Sequence, residues 1–598
     1  MNELVERAKF YNPPIKEQLS FSGDPEEETA ARVAIEHFVT DPDGPFYAFT
    51  PYVPELYAAL IIARYSRTDL SARQLIWREF VAHKKDIPWE VIDGGMEALR
   101  VIFDYRRARS MAERVLNQYG DDSVYEMGGV KLFLNRVSQP AAKVIEDARI
   151  GISPIEKSTR FVAFDQKGPD GDYAFFKDPR IMDSDYRELY LESSRACFEV
   201  YARSFAALQN YFQKQIPIES QSFSDLSSDL EEKPQIPFGD LKDERSIRAA
   251  RTAYRQSIRA KACDVARVLL PASTLTNIGE SGNARAFGYL MTKMMAHPLA
   301  EMQMIASGAT VQLKKVLPEF FEVIDNDKGE AYQTYLRQTE AALQRRAKEL
   351  LTGIKPDESS RVELVKMDPN PEINIAAGLL YPYARLPLRQ LIDILRGADP
   401  SIVGDILHDS LRLRTNRRHK PPRAFEISGY ELVFDILGNF GIYRDLQRQR
   451  MLTQQRQAYT TEFGYDMPVE FEAIKLEREF AETMGKMGYA YNMVAPDFSE
   501  EAQYLTTLAN YMRWYMGMDL REGIWVTELR SIPQGHFSYR TVAQDMAIQA
   551  QKIYPFLASL QQGSEQFVDM TNRRQNLERM EAMKRIQRKL AEIEERFS

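Results

Sequence analysis

Two stretches of this chain, 300 residues apart, are nearly the same segment written twice, and the first carries residue types suited to holding a phosphate. Residues 148–161 read A-R-I-G-I-S-P-I-E-K-S-T-R-F, which sets Ser153, Glu156, Ser158 and Arg160 at close spacing. In an extended or turning backbone alternate side chains share a face, so the Ser158 hydroxyl and the Arg160 guanidinium can converge on one phosphate. The same pattern also fits a helix-capping box followed by a surface arginine. Residues 448–461 read R-Q-R-M-L-T-Q-Q-R-Q-A-Y-T-T, with Arg448 and Arg450 where the first stretch has Ala148 and Ile150. Each stretch keeps what the other lacks.

These stretches belong to a longer repeat. Pro54-Glu55, Ala58-Ala59, Tyr65 and Arg67 recur as Pro371-Glu372, Ala376-Ala377, Tyr383 and Arg385, and the segment ending at Glu126 precedes the first motif as that ending at Glu426 precedes the second. A repeat of this length is a domain rather than a solenoid unit. The reading is an N-terminal extension over 1–47, a first repeat over 48–355, a second over 361–563 and a charged tail over 564–598. The join falls in the polar, turn-forming segment Gly353 to Ser360. Within the first repeat, residues 216–243 combine Pro217, Pro234 and Pro237 with five serines and read as an insertion loop that buries little.

A chain of 598 residues with 44% hydrophobic and 27% charged residues is expected to be soluble, globular and built around more than one core. No apolar run approaches the roughly 20 residues that span a bilayer, and the N-terminus lacks a signal-peptide stretch, so a cytoplasmic protein without membrane contact is expected. A net charge of −8 argues against general affinity for nucleic acid. Two cysteines and six scattered histidines predict neither a disulfide framework nor a protein metal site. The run Arg412, Arg414, Arg417, Arg418, His419, Lys420 and Arg423 is either a basic pocket for a phosphorylated small molecule or a solvated loop. Gly279-Glu-Ser-Gly282 lacks the Lys-Ser/Thr of a phosphate loop and reads as a turn.

Helical periodicity dominates, as over Leu56–Ala63 and over Asn283–Val316, the latter broken at Pro298. Strand-like runs are Lys131–Leu134, Arg160–Phe164 and Tyr430–Leu437, which makes the class α+β and helix-rich, with a small antiparallel sheet in each repeat. The tail, with Leu577, Met580, Met583, Ile586, Leu590, Ile593 and Phe597 between charges, is predicted to form an amphipathic helix that packs on its own chain or on a second one.

The first motif resembles the signature of the flavin-dependent thymidylate synthases, R-H-R-x-x-S-x-N-E-x-S-x-R-Y. Ser153, Glu156, Ser158 and Arg160 fall in register, with Phe161 for the tyrosine, whereas Ala148, Arg149, Ile150 and Ile155 depart from it. In the second copy Arg448 and Arg450 match the leading arginines and Gln449 stands for the histidine. Downstream, Arg267-Val-Leu-Leu-Pro271 and Asn283-Ala-Arg285 are similar to the family's A-R-x-x-L-P and N-A-R segments. The resemblance implies substrate contacts at Ser153, Glu156, Ser158, Arg160, Arg267 and Arg530, and flavin contacts at Arg285, Arg448, Arg450 and Arg521. Met294 takes the place of the family's uracil-positioning arginine in the first copy, and Asn492 is aligned with Arg267 in the second. The family's histidine after a glutamate is lost, because Met127 follows Glu126 and Ile427 follows Glu426.

The family's reaction is the reductive methylation of dUMP to dTMP, with FAD as cofactor, methylenetetrahydrofolate as co-substrate and NADPH as reductant. Its sites lie between subunits of a homotetramer. The resemblance therefore implies a homodimer of two-repeat chains forming a pseudo-tetramer, with composite sites between unlike repeats. One such site would join Glu156, Ser158 and Arg160 to Arg521 and Arg530; the other would join Arg448 and Arg450 to Arg267 and Arg285. Neither set is complete, so the alternative is a catalytically inactive nucleotide- or flavin-binding protein, or a structural scaffold, of the same fold.

Overall fold

The computed structural model describes residues 25–42, 48–50, 52–65, 70–82, 122–160, 162–168, 171–228, 234–415, 417–532 and 535–559. The amphipathic tail expected over 564–598 lies outside the described residues. The chain divides into two compact units, the first made of residues 1–134, 150–155 and 279–350, the second of 135–149, 156–278 and 351–598. These units differ from the repeats: the second takes in all of the second repeat and much of the first.

The strands are β1 (Gly129–Val137), β2 (Ile152–Glu156), β3 (Ser222–Ser224), β4 (Gln235–Pro237), β5 (Thr276–Asn283), β6 (Val362–Lys366), β7 (Leu432–Asn439), β8 (Leu452–Arg456) and β9 (Tyr511–Met518). The helices that matter below are α1 (Gln139–Glu146), α2 (Arg187–Gln215), α3 (Glu244–Ala266), α4 (Ala284–Ala296), α5 (Ala300–Val316), α6 (Asp327–Leu351), α7 (Phe440–Leu446), α8 (Glu477–Val494), α9 (Leu520–Arg530) and α10 (Phe537–Ile553).

The duplication is written in the order of these elements. One sheet runs β1-β5-β2 and another β6-β7-β9-β8, so the core order of the first recurs in the second as β7-β9-β8. At each of the four strand-to-helix junctions a short polar residue caps the helix by accepting from the backbone N–H three residues on. These are Ser138 from Ala141 (3.1 Å), Asn283 from Ala286 (2.9 Å), Asn439 from Ile442 (2.9 Å) and Asp519 from Glu522 (2.8 Å). Such a residue stops the strand and satisfies an orphan helix donor in one step.

The first unit carries α4 and α5, separated at His297-Pro298-Leu299 as the proline predicts. In the second unit β7 pairs antiparallel with β6 and β9, and β9 with β8. Its alternation buries Leu432, Phe434 and Ile436 on one face. α2 packs on α3 and α8, burying Cys197, Phe198, Tyr201, Phe480 and Met487. Burial raises both the Cys197 and Cys263 thiols, Cys263 to about 12, so neither is a nucleophile at neutral pH. The two repeats meet inside this unit through backbone hydrogen bonds from Leu508 N to Leu270 O (3.0 Å) and from Ala272 N to Thr506 O (2.7 Å).

Two expectations change. The described residues of Arg160–Phe164 form no strand, since β2 ends at Glu156 and Thr159-Arg160 form a turn. Phe164 instead packs in the core. The insertion 216–243 is ordered over its described residues: β3 and β4 form an antiparallel pair, and fully buried Phe223 meets Phe238 edge-on at 5.9 Å. Serine and proline content concealed the few aromatic residues that fix it.

Candidate functional site

The charged residues of the sequence motifs gather in the second unit, where residues from both repeats form two ionic clusters. The first centres on Glu156 at the end of β2. Its fully buried carboxylate accepts from Lys143 of α1 (3.0 Å), Arg444 of α7 (2.7 Å) and Arg448 (2.9 Å). Glu146 contacts Lys143 and Arg448 as well. Burial alone would raise the Glu156 pKa, but Arg444, Lys143 and Arg448 outweigh it and hold the carboxyl at about 2. Arg444 also donates to the Thr159 hydroxyl (2.8 Å).

One residue beyond Thr159 the second cluster begins. Arg160 forms a bidentate pair with Asp264 of α3, at 2.9 and 3.0 Å. Arg267, three residues after Asp264, reaches Asp264 at 3.4 Å and Asp445 at 3.3 Å. Burial would raise the Asp445 pKa, yet Arg267, Arg160 and Arg530 bring it below the usual carboxylate range. Arg530 lies over the Tyr539 ring at 5.8 Å. With the Gln449 amide turned to satisfy both groups, its oxygen accepts from Arg530 at 2.7 and 2.9 Å.

His536 closes this cluster as the N-cap of α10. Its Nδ1 accepts from the Ser538 N–H at 3.3 Å, which leaves the proton on Nε2, 4.0 Å from Asp264. Burial, then Arg267 and Arg160, push its pKa down to about 3 against the opposing pull of Asp264, so the ring is a neutral N–H donor at physiological pH.

A cavity of about 410 Å³ opens beside this cluster. Asp264, Arg267, His536 and Tyr539 form one end, and Val268, Leu437 and Val542 contribute apolar wall. The first residues of α10 face it, bringing the positive end of a 17-residue helix to the same place as Arg267.

The residues singled out in the sequence thus separate. Arg160, Arg267 and Arg530 meet around Asp264 and Asp445, while Glu156 and Arg448 sit in the neighbouring cluster. Ser158 accepts from the Arg160 N–H at 3.2 Å and is half-buried in the turn. Arg521 does not join Arg160: it donates to the Pro421 carbonyl (2.7 Å) and to Glu426 (2.7 Å). Its counterpart Arg285, in the first unit, pairs in the same way with Glu126 at 2.8 Å. Ser153 is exposed on β2 in the first unit, and Arg450 is exposed in the turn before β8.

The basic run is partly structural, because Arg414 grips buried Glu528 with two bonds of 2.8 and 2.6 Å. Asp519 follows Asn283 by 236 positions at equivalent helix caps, so Gln503, not Asn492, is the counterpart of Arg267. Asp264, Arg444, Asp445 and His536 were not found by sequence reasoning. Their only signal was proximity to Arg267, Arg448 and Arg530 in the chain.

Comparison with known proteins bears on what this arrangement serves. The family model described as thymidylate synthase complementing protein matches residues 91–319 and 396–556. A UPF0159 protein of Chlamydia pneumoniae is 36% identical over 89% of this chain and 94% of its own length. A UPF0159 protein of Chlamydia muridarum is 36% identical over 90% of this chain and 95% of its own, and one of Thermoplasma acidophilum 31% identical over 84% and 93%.

Proposed function

Because this chain belongs to the thymidylate synthase complementing protein family, we propose that it binds a pyrimidine nucleoside monophosphate, with dUMP as the reference ligand, in the cavity of the second unit. The observation that carries this reading is the meeting at one cavity end of Arg267, the neutral Nε2–H of His536 and the N-terminus of α10. All three favour an anion, and they do so without a titrating proton. Arg160 and Arg530 stand behind them, giving three arginines against Asp264 and Asp445. The phosphate would face Arg267 and His536, and the base would lie along the apolar wall. Glu156 would act at a distance from the ligand, by fixing Arg444 and Arg448.

Three of the arginines that the resemblance assigns to flavin pair with carboxylates. Arg521 is held by Glu426 and the Pro421 carbonyl, Arg285 by Glu126, and Arg448 by Glu146 and Glu156. Freed for a ligand, Arg448 would leave Glu146 and Glu156 to Lys143, and Arg521 would leave Glu426 to Arg423. The reading put to the test is nucleotide binding by a thymidylate synthase-like fold.

Titration calorimetry of the full chain with dUMP and with uridine tests it. We expect dUMP to bind more tightly than uridine. Arg267→Ala should weaken dUMP by roughly 30-fold, the loss of one charged hydrogen-bond partner worth about 2 kcal/mol, and Arg267→Lys by less. Absence of dUMP binding, or equal affinity in wild type and Arg267→Ala, would overturn the proposal.

A further inference from the structure

Asn439 does more than cap α7. Its Oδ1 accepts from the Ile442 N–H at 2.9 Å, and its Nδ2, which the cap does not use, donates to Asp466 Oδ2 at 2.9 Å. Ser138, which caps α1 at the matching junction of the first repeat, carries no such amide. Asp466 is fixed from its other sides as well. Its N–H donates to the Ala509 carbonyl at 3.0 Å, and its Oδ1 accepts from the Tyr511 hydroxyl and from Arg361 at 3.4 Å. A carboxylate offers about four acceptor positions. Two on Oδ1 and one on Oδ2 are filled, which leaves a position on Oδ2 of a side chain that is 30% exposed and lines the cavity.

Gly441 links this carboxylate to the anion end of the same cavity. A Cβ there would stand 3.2 Å from Asn439 Oδ1 and 3.8 Å from Arg267 Nη2, so both groups border one bare backbone position. The order along this wall is therefore Arg267, Gly441, Asn439 and Asp466. In a nucleoside monophosphate the sugar is joined directly to the phosphate. A ligand whose phosphate faces Arg267 brings its sugar past Gly441 toward Asp466, while its base has the apolar wall of Val268, Leu437 and Val542. A carboxylate only accepts hydrogen bonds, and a sugar hydroxyl is a donor that fills such a position well.

We propose that Asp466 reads the 3′-hydroxyl of the bound nucleotide and selects ligands whose sugar carries it, an inference that rests on the nucleotide reading above. Asn439 is the positioning residue, because it holds Oδ2 beside the passage that Gly441 keeps open by having no side chain.

Titration calorimetry of the full chain compares dUMP with 2′,3′-dideoxyuridine 5′-monophosphate, which differs only in lacking the 3′-hydroxyl. Wild type should bind dUMP roughly 10-fold more tightly, the lower end for a hydrogen bond to a charged acceptor. Asp466→Asn, which keeps the shape but removes the charge, should bring the two affinities together. Arg267→Ala should weaken both ligands and leave their ratio unchanged. Equal binding of the two ligands by wild type would overturn this inference and leave the nucleotide reading standing, whereas binding of neither would overturn both. A preference for dUMP that survives Asp466→Asn would assign the hydroxyl to another group and overturn the inference. So would an Asp466→Asn variant that keeps this preference but changes the ratio of dUMP to dCMP binding, since that would place Asp466 at the base.

Discussion

Replacing Glu156 by Gln removes the one carboxylate shared by Lys143, Arg444 and Arg448 while keeping nearly the same volume. Lys143 would retain Glu146, and Arg448 would retain Glu146 on its half-exposed side. Arg444 would keep only the Thr159 hydroxyl among its described partners in this cluster. Breaking a buried pair from one side costs about 3–5 kcal/mol. The carboxyl, held at about 2 instead of its ordinary 4.5 by Arg444, Lys143 and Arg448 against its burial, points in the same direction. Since the folded-state pKa is depressed, this contribution is complete above pH 4.5 and fades as pH falls toward 2. Urea unfolding of wild type and Glu156→Gln should therefore differ by about 3 kcal/mol at pH 7 and converge as the pH approaches 2. A difference under about 1 kcal/mol at pH 7, the level of an exposed ion pair, would refute the view that this cluster holds the two repeats' motifs together.

Two further outcomes follow from the buried charges. His536, held near pKa 3, should show ring-proton NMR shifts that stay constant from pH 8 to 5. Because its folded pKa lies below the unfolded value of 6.5, the neutral ring should also make stability decline by about 1.4 kcal/mol per unit as pH drops below 6.5; a midpoint between 6 and 7 would remove it from the buried cluster. Arg414→Ala should destabilise the second unit by about 3–5 kcal/mol in urea, since Glu528 would be left buried without its fork. An unchanged unfolding midpoint would return the basic run to the role of a solvated loop.

The sequence carried the architecture further than it carried the site. Apolar alternation in β1 and β7, the break at Pro298 and the repeated polar residue before each helix are local signals, and the chain reads them locally. The insertion and the segment after Glu156 were misjudged because composition hides a single buried aromatic such as Phe223 or Phe164. The site was misjudged for a different reason. A signature arginine announces a charge but not its counter-ion, and the counter-ions here come from elsewhere in the chain: Asp264 for Arg160, Glu426 for Arg521, Glu156 for Arg448. Only the fold shows that three of the four arginines matched to flavin positions, Arg285, Arg448 and Arg521, are held by carboxylates.

Those counter-ions also explain why the two repeats are not interchangeable. β2 and β8 end at equivalent positions, which carry Glu156 in the first repeat and Arg456 in the second. Glu156 is held by Arg444 and Arg448, whereas Arg456 is held by Asp147 at 2.6 Å and by the Tyr443 hydroxyl at 3.0 Å. The sign of the pair is reversed between the two ends of one contact. If two first repeats met in this way, Glu156 would face Ala148 where Arg448 now stands; if two second repeats met, Arg456 would face Gln447 in place of Asp147. Each like pairing loses a counter-ion, leaving Glu156 only Lys143 and Arg456 only the Tyr443 hydroxyl, and each unlike pairing satisfies both. Divergence of the copies therefore fixed them as partners within one chain, and it did so with the residues that the resemblance assigns to ligand binding.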